Sequence, residues 1–123
     1  MKIGITSTGE DLNANVDPRF GRCKYFLFVD TDTMEFENIS NESAIASGGA
    51  GIQAAQTVAK AGVKTIITGN MGPNAFQTLS AAGIKVFTGA NGTVKEAIEK
   101  YKKGELKETQ SPNVNSHHGM GGL

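Results

Sequence analysis

Between Ser47 and Ala90 the chain runs through one rhythm twice: glycine turn, helix, short β-branched run. Gly48, Gly49 and Gly51 open the first helix. Ile52, Ala55, Val58 and Ala59 fall on one apolar stripe of it, and Gly62 ends it. Thr65 to Thr68 is a β-branched run bounded by Gly69 and Asn70, the pattern of a strand covered on both faces. Pro73 stands where a helix start tolerates a missing N–H. Ala75, Phe76 and Leu79 supply the next stripe, Gly83 ends that helix, and Ile84 to Phe87 follows as a strand. Strand–helix–strand with connections this short requires parallel neighbours and a right-handed crossover. The rest of the chain has to be built onto that unit.

Lys2 to Thr6 reads as a first strand, with Ile3 and Ile5 on one face. A long polar loop, Ser7 to Arg22, leaves its end, and such a loop is a natural place to line a site. Tyr25 to Val29 and Met34 to Ile39 form a hairpin around Asp30 to Thr33. Met34 and Phe36 alternate there with Glu35 and Glu37, as on a half-exposed edge. Ser40 to Gly49 is a loose connection. Thr93, with Glu96 three residues on, signals the start of a final helix whose stripe is Val94, Ala97, Ile98 and Tyr101. Glu96/Lys100 and Glu99/Lys103 are spaced as i,i+4 ion pairs. The expected fold is α/β: one five-stranded mixed sheet, order 3-2-1-4-5, with helices on both faces. Residues 1–106 form the domain, and 107–123 are expected to be a flexible Gly/His/Met-containing tail.

The chain has 123 residues, enough for a core without metal or disulfide staples. Twelve basic and twelve acidic residues balance, which argues against a broad nucleic-acid footprint. One cysteine excludes an internal disulfide and an all-cysteine cluster site within one chain. With no long apolar run or signal-peptide pattern, the expected location is the cytoplasm, away from membranes. The charges are unevenly placed. Residues 1–42 hold eight of the acids, whereas Ser43 to Val94 contains no Asp or Glu. That stretch is either mostly buried core or a surface kept free of negative charge because it meets an anion.

In a parallel α/β layer, ligands meet the loops beyond the C-terminal strand ends. Here those loops are Ser7 to Arg22, Gly69 to Asn74 and Thr88 to Thr93. The second and third helices begin in the last two, and their free N–H groups favour an anion. Gly69, Asn70, Met71, Gly72, Asn74 and Asn91 would line this rim, and Arg19 and Arg22 would bring positive charge. Cys23, between Arg22 and Lys24, is a candidate cofactor and metal ligand, because those cations could lower its pKa and suit it to a soft metal or cluster; a lone cysteine near a strand start is more often an inert small side chain. His117 and His118, followed by Met120, form a weak candidate metal site in the tail. There is no GxxxxGK[ST] or GxGxxG phosphate loop and no GxSxG elbow. Asp11 and Asp17 form no recognisable acid/base pair, so no catalytic residue is assigned.

Four stretches together resemble one family. DPRFGRCKYFLFVD (17–30), GGAGIQAAQ (48–56), TGNMGPNAFQTLSAAGIKVFTG (68–89) and GTVKEAIEKYKKGEL (92–106) are similar to the dinitrogenase iron–molybdenum cofactor biosynthesis family. That family includes NifX, NafY and the C-terminal part of NifB. The resemblance implies a ribonuclease-H-like α/β motif without nuclease activity. It places Arg19, Phe20, Gly21 and Arg22 in one cofactor loop and Gly69 to Asn74 in another; Cys23 departs from the family pattern. It further implies non-enzymatic binding or carrying of an anionic iron–sulfur or iron–molybdenum-type cluster or precursor, not tightly held. Cluster donor and acceptor proteins would be the partners, and the protein would be a monomer or weak homodimer. The competing reading is a protein-interaction or regulatory module without cofactor.

Overall fold

The computed structural model describes residues 1–42 and 49–113. Five strands are present: β1 (Lys2–Ser7), β2 (Tyr25–Asp30), β3 (Phe36–Ser40), β4 (Thr65–Ile67) and β5 (Lys85–Phe87). The helices are α1 (Ala50–Lys60), α2 (Pro73–Ala81) and α3 (Val94–Lys102). The sheet order is β3-β2-β1-β4-β5, as expected. β1 runs antiparallel to β2, with Lys2 opposite Asp30 and Ser7 opposite Tyr25, and parallel to β4, with Gly4 beside Ile66.

Strand alternation divides the core into two layers. Phe26 and Phe28 of β2, Ile66 of β4 and Val86 of β5 meet Ala54, Ala55 and Val58 of α1 and Ala75 and Leu79 of α2. On the opposite face, Ile3 and Ile5, Leu27 and Val29, and Ile67 meet Val94, Ala97 and Ile98 of α3. Tyr101 closes that side edge-on to Phe87, with ring centroids 5.2 Å apart. Small alanines on α1 let the helix sit close to the sheet, which suits a chain with few aromatics. None of the helices among the described residues is long and apolar enough to cross a membrane.

Four local expectations shift. β3 begins at Phe36 rather than Met34, because Met34 has φ 62° and belongs to the turn. That turn is organised by Asp30, whose Oδ1 accepts the N–H groups of Asp32 and Thr33 at 2.8 and 3.2 Å. On α1 the buried stripe is Ala50, Ala54, Ala55 and Val58; Ile52 and Ala59 face out. Glu96/Lys100 and Glu99/Lys103 are not ion pairs among the described residues. Glu96 folds back instead, and its Oε1 accepts the Thr93 N–H at 2.9 Å while Thr93 Oγ1 accepts the Glu96 N–H at 3.1 Å. Finally, part of the expected tail is tied down. Glu108 bridges Phe87 in the antiparallel sense, and the Thr109 N–H donates to Val86 O at 2.7 Å. Residues 114–123, and Ser47 and Gly48 near the start of α1, lie outside the described residues.

The Thr93–Glu96 box gives a direct test. Thr93→Ala should lower stability in urea unfolding by about 1 kcal/mol, the usual worth of an N-cap hydroxyl. The Thr93 N–H, and then its hydroxyl, hold the Glu96 carboxyl below the ordinary glutamate value of 4.5. A depressed carboxylate stabilises the fold above its unfolded pKa and loses that contribution as pH falls. Any advantage of the wild type over Glu96→Gln at neutral pH should therefore fade as pH drops below about 4.5.

Candidate functional site

The loop after β1 crosses the C-terminal edge of the sheet from one core layer to the other. Val16 anchors it among the α3-side residues and Phe20 among the α1/α2-side residues, where its ring lies 5.6 Å from that of Phe26. Asp17 sits at the crossing and is 1% exposed. Its N–H donates to Thr6 O at 3.0 Å, and its carbonyl accepts the Thr6 hydroxyl at 2.7 Å. Thr6 Oγ1 also lies 2.8 Å from Thr68 Oγ1, which joins the ends of β1 and β4 to the loop. The Asp17 carboxylate in turn fixes the path of the loop beyond it. Oδ1 accepts the Arg19 N–H at 3.0 Å in an Asx turn, and Oδ2 accepts the Lys24 N–H at 3.3 Å. Arg19 Nε is 3.5 Å from Oδ1, while much of the side chain remains exposed.

The second half of this loop is wedged against the Gly69–Asn74 turn and the start of α1. Arg19 and Asn70 form a parallel bridge; the Phe20 N–H donates to Asn70 O at 3.2 Å, and Asn70 Nδ2 donates to Pro18 O at 3.0 Å. Two glycines make the approach possible. A Cβ on Gly69 would stand 2.6 Å from Pro18 Cα, and one on Gly21 would stand 2.9 Å from the Gly51 backbone. A Cβ on Gly51 would in turn meet the Ala75 Cβ at 3.6 Å. The arginine loop, the first turn of α1 and the first turn of α2 are therefore contiguous.

The three helix starts are not equivalent. α1 begins at Gly49 and α2 at Gly72, and neither has a side-chain cap or an acidic residue in its first turn. The first N–H groups of a helix have no acceptor within it, so here they have neither an intrahelical nor a side-chain partner. The α3 start, expected to serve the same rim, is closed. Besides the Thr93–Glu96 box, the Val94 N–H donates to Ala14 O at 2.8 Å and the Lys95 N–H to Leu12 O at 3.0 Å. Glu96 also places a carboxylate there. Asn91 is exposed beside this closed start, in the turn whose Gly92 carbonyl accepts the Val16 N–H at 2.9 Å. It is thus tied to the Val16 side of the crossing, not to the Arg19–Asn70 side.

The proposed soft donors are also distributed differently from expectation. Arg22 is exposed and Asn74 is exposed, while Gly72 and Asn70 are half-buried at the mouth of α2. Met71 is 1% exposed and its side chain belongs to the α1/α2 core layer. Cys23 is fully buried in the same layer, with Asn41 Nδ2 3.7 Å from its sulfur. Burial, and then the Asp17 carboxylate, push its thiol well above the ordinary range, opposite to the lowering that Arg22 and Lys24 could bring. His117 and His118 lie outside the described residues. Among the described residues, no three His, Cys, Asp or Glu side chains come together as a metal site.

The arginine loop and the α2 mouth are candidates from the sequence alone, which assigns no role to Thr6, Asp17, Thr68 or Asn113. The Asp17–Pro18 pair was the legible signal, since Asp before a turn commonly accepts the N–H two residues on. Asn113 carried none, because its partners Asn70 and Met71 are more than forty positions away.

The fold and rim define an α/β protein with two uncapped helix starts beside an arginine loop. The chain belongs to the dinitrogenase iron–molybdenum cofactor family, whose model matches residues 1–104. It is 31% identical over 99 residues to an uncharacterised protein of Methanocaldococcus jannaschii, covering 78% of this chain and 84% of that one. Among solved structures, the apo form of the orange protein from Desulfovibrio gigas is 43% identical, with TM-score 0.89 over 92% of this chain and 96% of that one. An NMR structure of a candidate NifB protein from Thermotoga is 35% identical, with TM-score 0.74 over 92% and 98%. The match links the chain to dinitrogenase- and NifB-type cofactor-handling proteins, a family whose members NifX, NafY and the orange protein are non-catalytic carriers.

The loop geometry predicts the effect of removing its anchor. Asp17→Ala leaves the buried-side N–H groups of Arg19 and Lys24 without their acceptor and should cost about 1–3 kcal/mol in urea unfolding. Faster hydrogen exchange should be confined to residues 17–24 at moderate denaturant; unchanged exchange there would contradict the role assigned to Asp17.

Proposed function

We propose that the protein binds and carries an anionic iron–sulfur or iron–molybdenum-type cluster, or a precursor of one, at the rim formed by the arginine loop and the α1 and α2 starts. The observation that carries this reading is the selective one: two contiguous helix starts lack any side-chain cap or acid while the third is closed by Glu96. Helix N-termini favour negative charge, and a missing first-turn carboxylate keeps that field unopposed. Exposed Arg19, whose Nε lies 3.5 Å from Asp17 Oδ1, and exposed Arg22 add positive charge on the same loop. The absence of Asp and Glu from Ser43 to Val94 extends the same bias along the α1–α2 side.

The donor set favours one kind of cargo. Cys23 and Met71 are core side chains, so the rim supplies N–H groups, amides and guanidinium rather than thiolates. Such a surface suits a cluster that already carries its own sulfide ligands and needs charge neutralisation and orientation. Holding without ligation also suits a carrier, because release then requires no metal–protein bond to break. The orange protein's description as an apo form, and the NifB description of a second relative, support a cofactor-handling role here as well. Donor and acceptor proteins would be the partners, as for any carrier. Arg19, Arg22, Gly69, Asn70, Gly72 and Asn74 are proposed as the cargo-facing residues.

The test is anaerobic loading of the apo-protein with a synthetic or donor-delivered cluster, followed by assay of retained iron, molybdenum and sulfide. Retention should fall as salt rises, because exposed charge is screened. The double variant Arg19→Ala/Arg22→Ala should weaken retention about tenfold or more at low salt, in line with loss of charge-assisted hydrogen bonds. Cys23→Ala should leave retention unchanged. A cluster held as tightly by the double arginine variant, or lost from a folded Cys23→Ala protein, would contradict this assignment.

A further inference from the structure

Beyond α3 the chain turns back along β5 and reaches the rim. Thr109 fastens one end. Its N–H donates to Val86 O, its Oγ1 accepts the Thr88 N–H at 2.9 Å, and the two threonine hydroxyls lie 2.7 Å apart. Four residues later Asn113 fastens the other end. Its Oδ1 accepts the Met71 N–H at 2.7 Å, and its own N–H donates to Met71 O at 3.1 Å. Its Nδ2 donates to Asn70 Oδ1 at 3.1 Å and lies 3.5 Å from Gly69 O. One exposed side chain therefore engages three consecutive residues at the mouth of α2.

These bonds differ in kind from those that build the site. The Asp17 latch is buried, whereas Asn113 is an exposed residue: its bond to Asn70 lies at the surface, and those to Met71 and Gly69 are half-buried. Gln110, Ser111 and Pro112 between the two anchors are exposed as well. The Met71 N–H immediately precedes the uncapped first turn of α2, so Asn113 Oδ1 occupies a donor that an anion at this mouth would use. A carboxamide oxygen is a neutral acceptor, and an anionic acceptor makes a hydrogen bond roughly twice as strong.

We propose that residues 107–113 are a displaceable strap, in which Asn113 occupies the α2 mouth in the empty protein and is exchanged for the anionic cargo on loading. This rests on the anionic-cargo reading and adds a control to it. The strapped form withholds the mouth, so apparent affinity is reduced by the fraction of molecules in which the strap is closed. A partner that took up the strap would open the same mouth, and return of the strap would favour release.

The experiment titrates the full-length apo-protein and its Asn113→Ala variant with isolated iron–molybdenum cofactor under anaerobic conditions. Urea unfolding establishes that the variant is folded; if it is not, Thr109→Val takes its place, since that change loosens the strap at β5 without touching the rim. The variant should hold the cluster about three- to tenfold more tightly, the range expected when one net hydrogen bond is removed from the competing closed form. In the unaltered protein the Asn113 backbone N–H should lose its protection from hydrogen exchange on loading. Equal or weaker binding by the folded variant, or an Asn113 N–H that stays protected in the loaded protein, overturns the strap and leaves the cargo reading standing. Failure of wild type and variant alike to retain any cluster removes the cargo reading and the strap together.

Discussion

The rim depends on a buried latch in which Thr6, Asp17 and Thr68 join β1, the long loop and the end of β4. A loop of this length loses a large conformational entropy when it is held in one path. The latch offsets that cost with bonds shielded from water, and Val16 and Phe20 add apolar anchors on opposite sides of the sheet. Because Asp17 is fixed, its carboxylate can order the next seven residues through the Arg19 and Lys24 N–H groups. Arg19 is thereby presented outward, and Gly21 is brought against Gly51 at the start of α1.

The loop's two halves do opposite things to the helices they reach. Leu12 and Ala14 lend carbonyls to the α3 start, which is further closed by Glu96. That helix is consequently a structural support for the β1–β4 side. Pro18 to Arg22 approach α1 and α2 without capping either one. One segment therefore separates a helix start closed by Glu96 from two that carry neither a side-chain cap nor an acid in the first turn. Cys23, immediately after, turns inward to Asn41 and the core, so the same loop displays arginine and conceals its thiol.

Much of this was readable from the chain alone because it rests on local pattern. The Gly–helix–strand rhythm set the parallel unit; Ile3 and Ile5 were placed on one face of the first strand, and Tyr25–Val29 was read as the second; Pro73 and Thr93 marked helix starts that lie where expected. What was not readable depends on partners remote in sequence. Whether a helix start is open is decided by other segments: Ala14 and Leu12 close α3 from about eighty positions away. Cys23 stands beside two cations in sequence, which left activation and an inert core position both open, and burial dominates its environment. Ile52 fits the apolar stripe by spacing, yet the helix turns its alanines to the sheet. Residues 107–113 look like tail by composition, and only the structure shows their bonds to β5 and the α2 mouth.

The central claim is that cargo is held by an open, positively biased rim and not by protein ligands to metal. Backbone-amide NMR of the protein titrated anaerobically with a diamagnetic metal–sulfur cluster tests it most directly. Selective amide shifts are expected at Arg19 to Arg22, Gly49 to Ile52 and Gly72 to Ala75, with the Thr93–Glu96 start unmoved and Cys23 Cβ unmoved in a parallel carbon-detected spectrum. Shifts centred on Cys23, on the α3 start or on His117 and His118 alone, with the arginine loop silent, would contradict it.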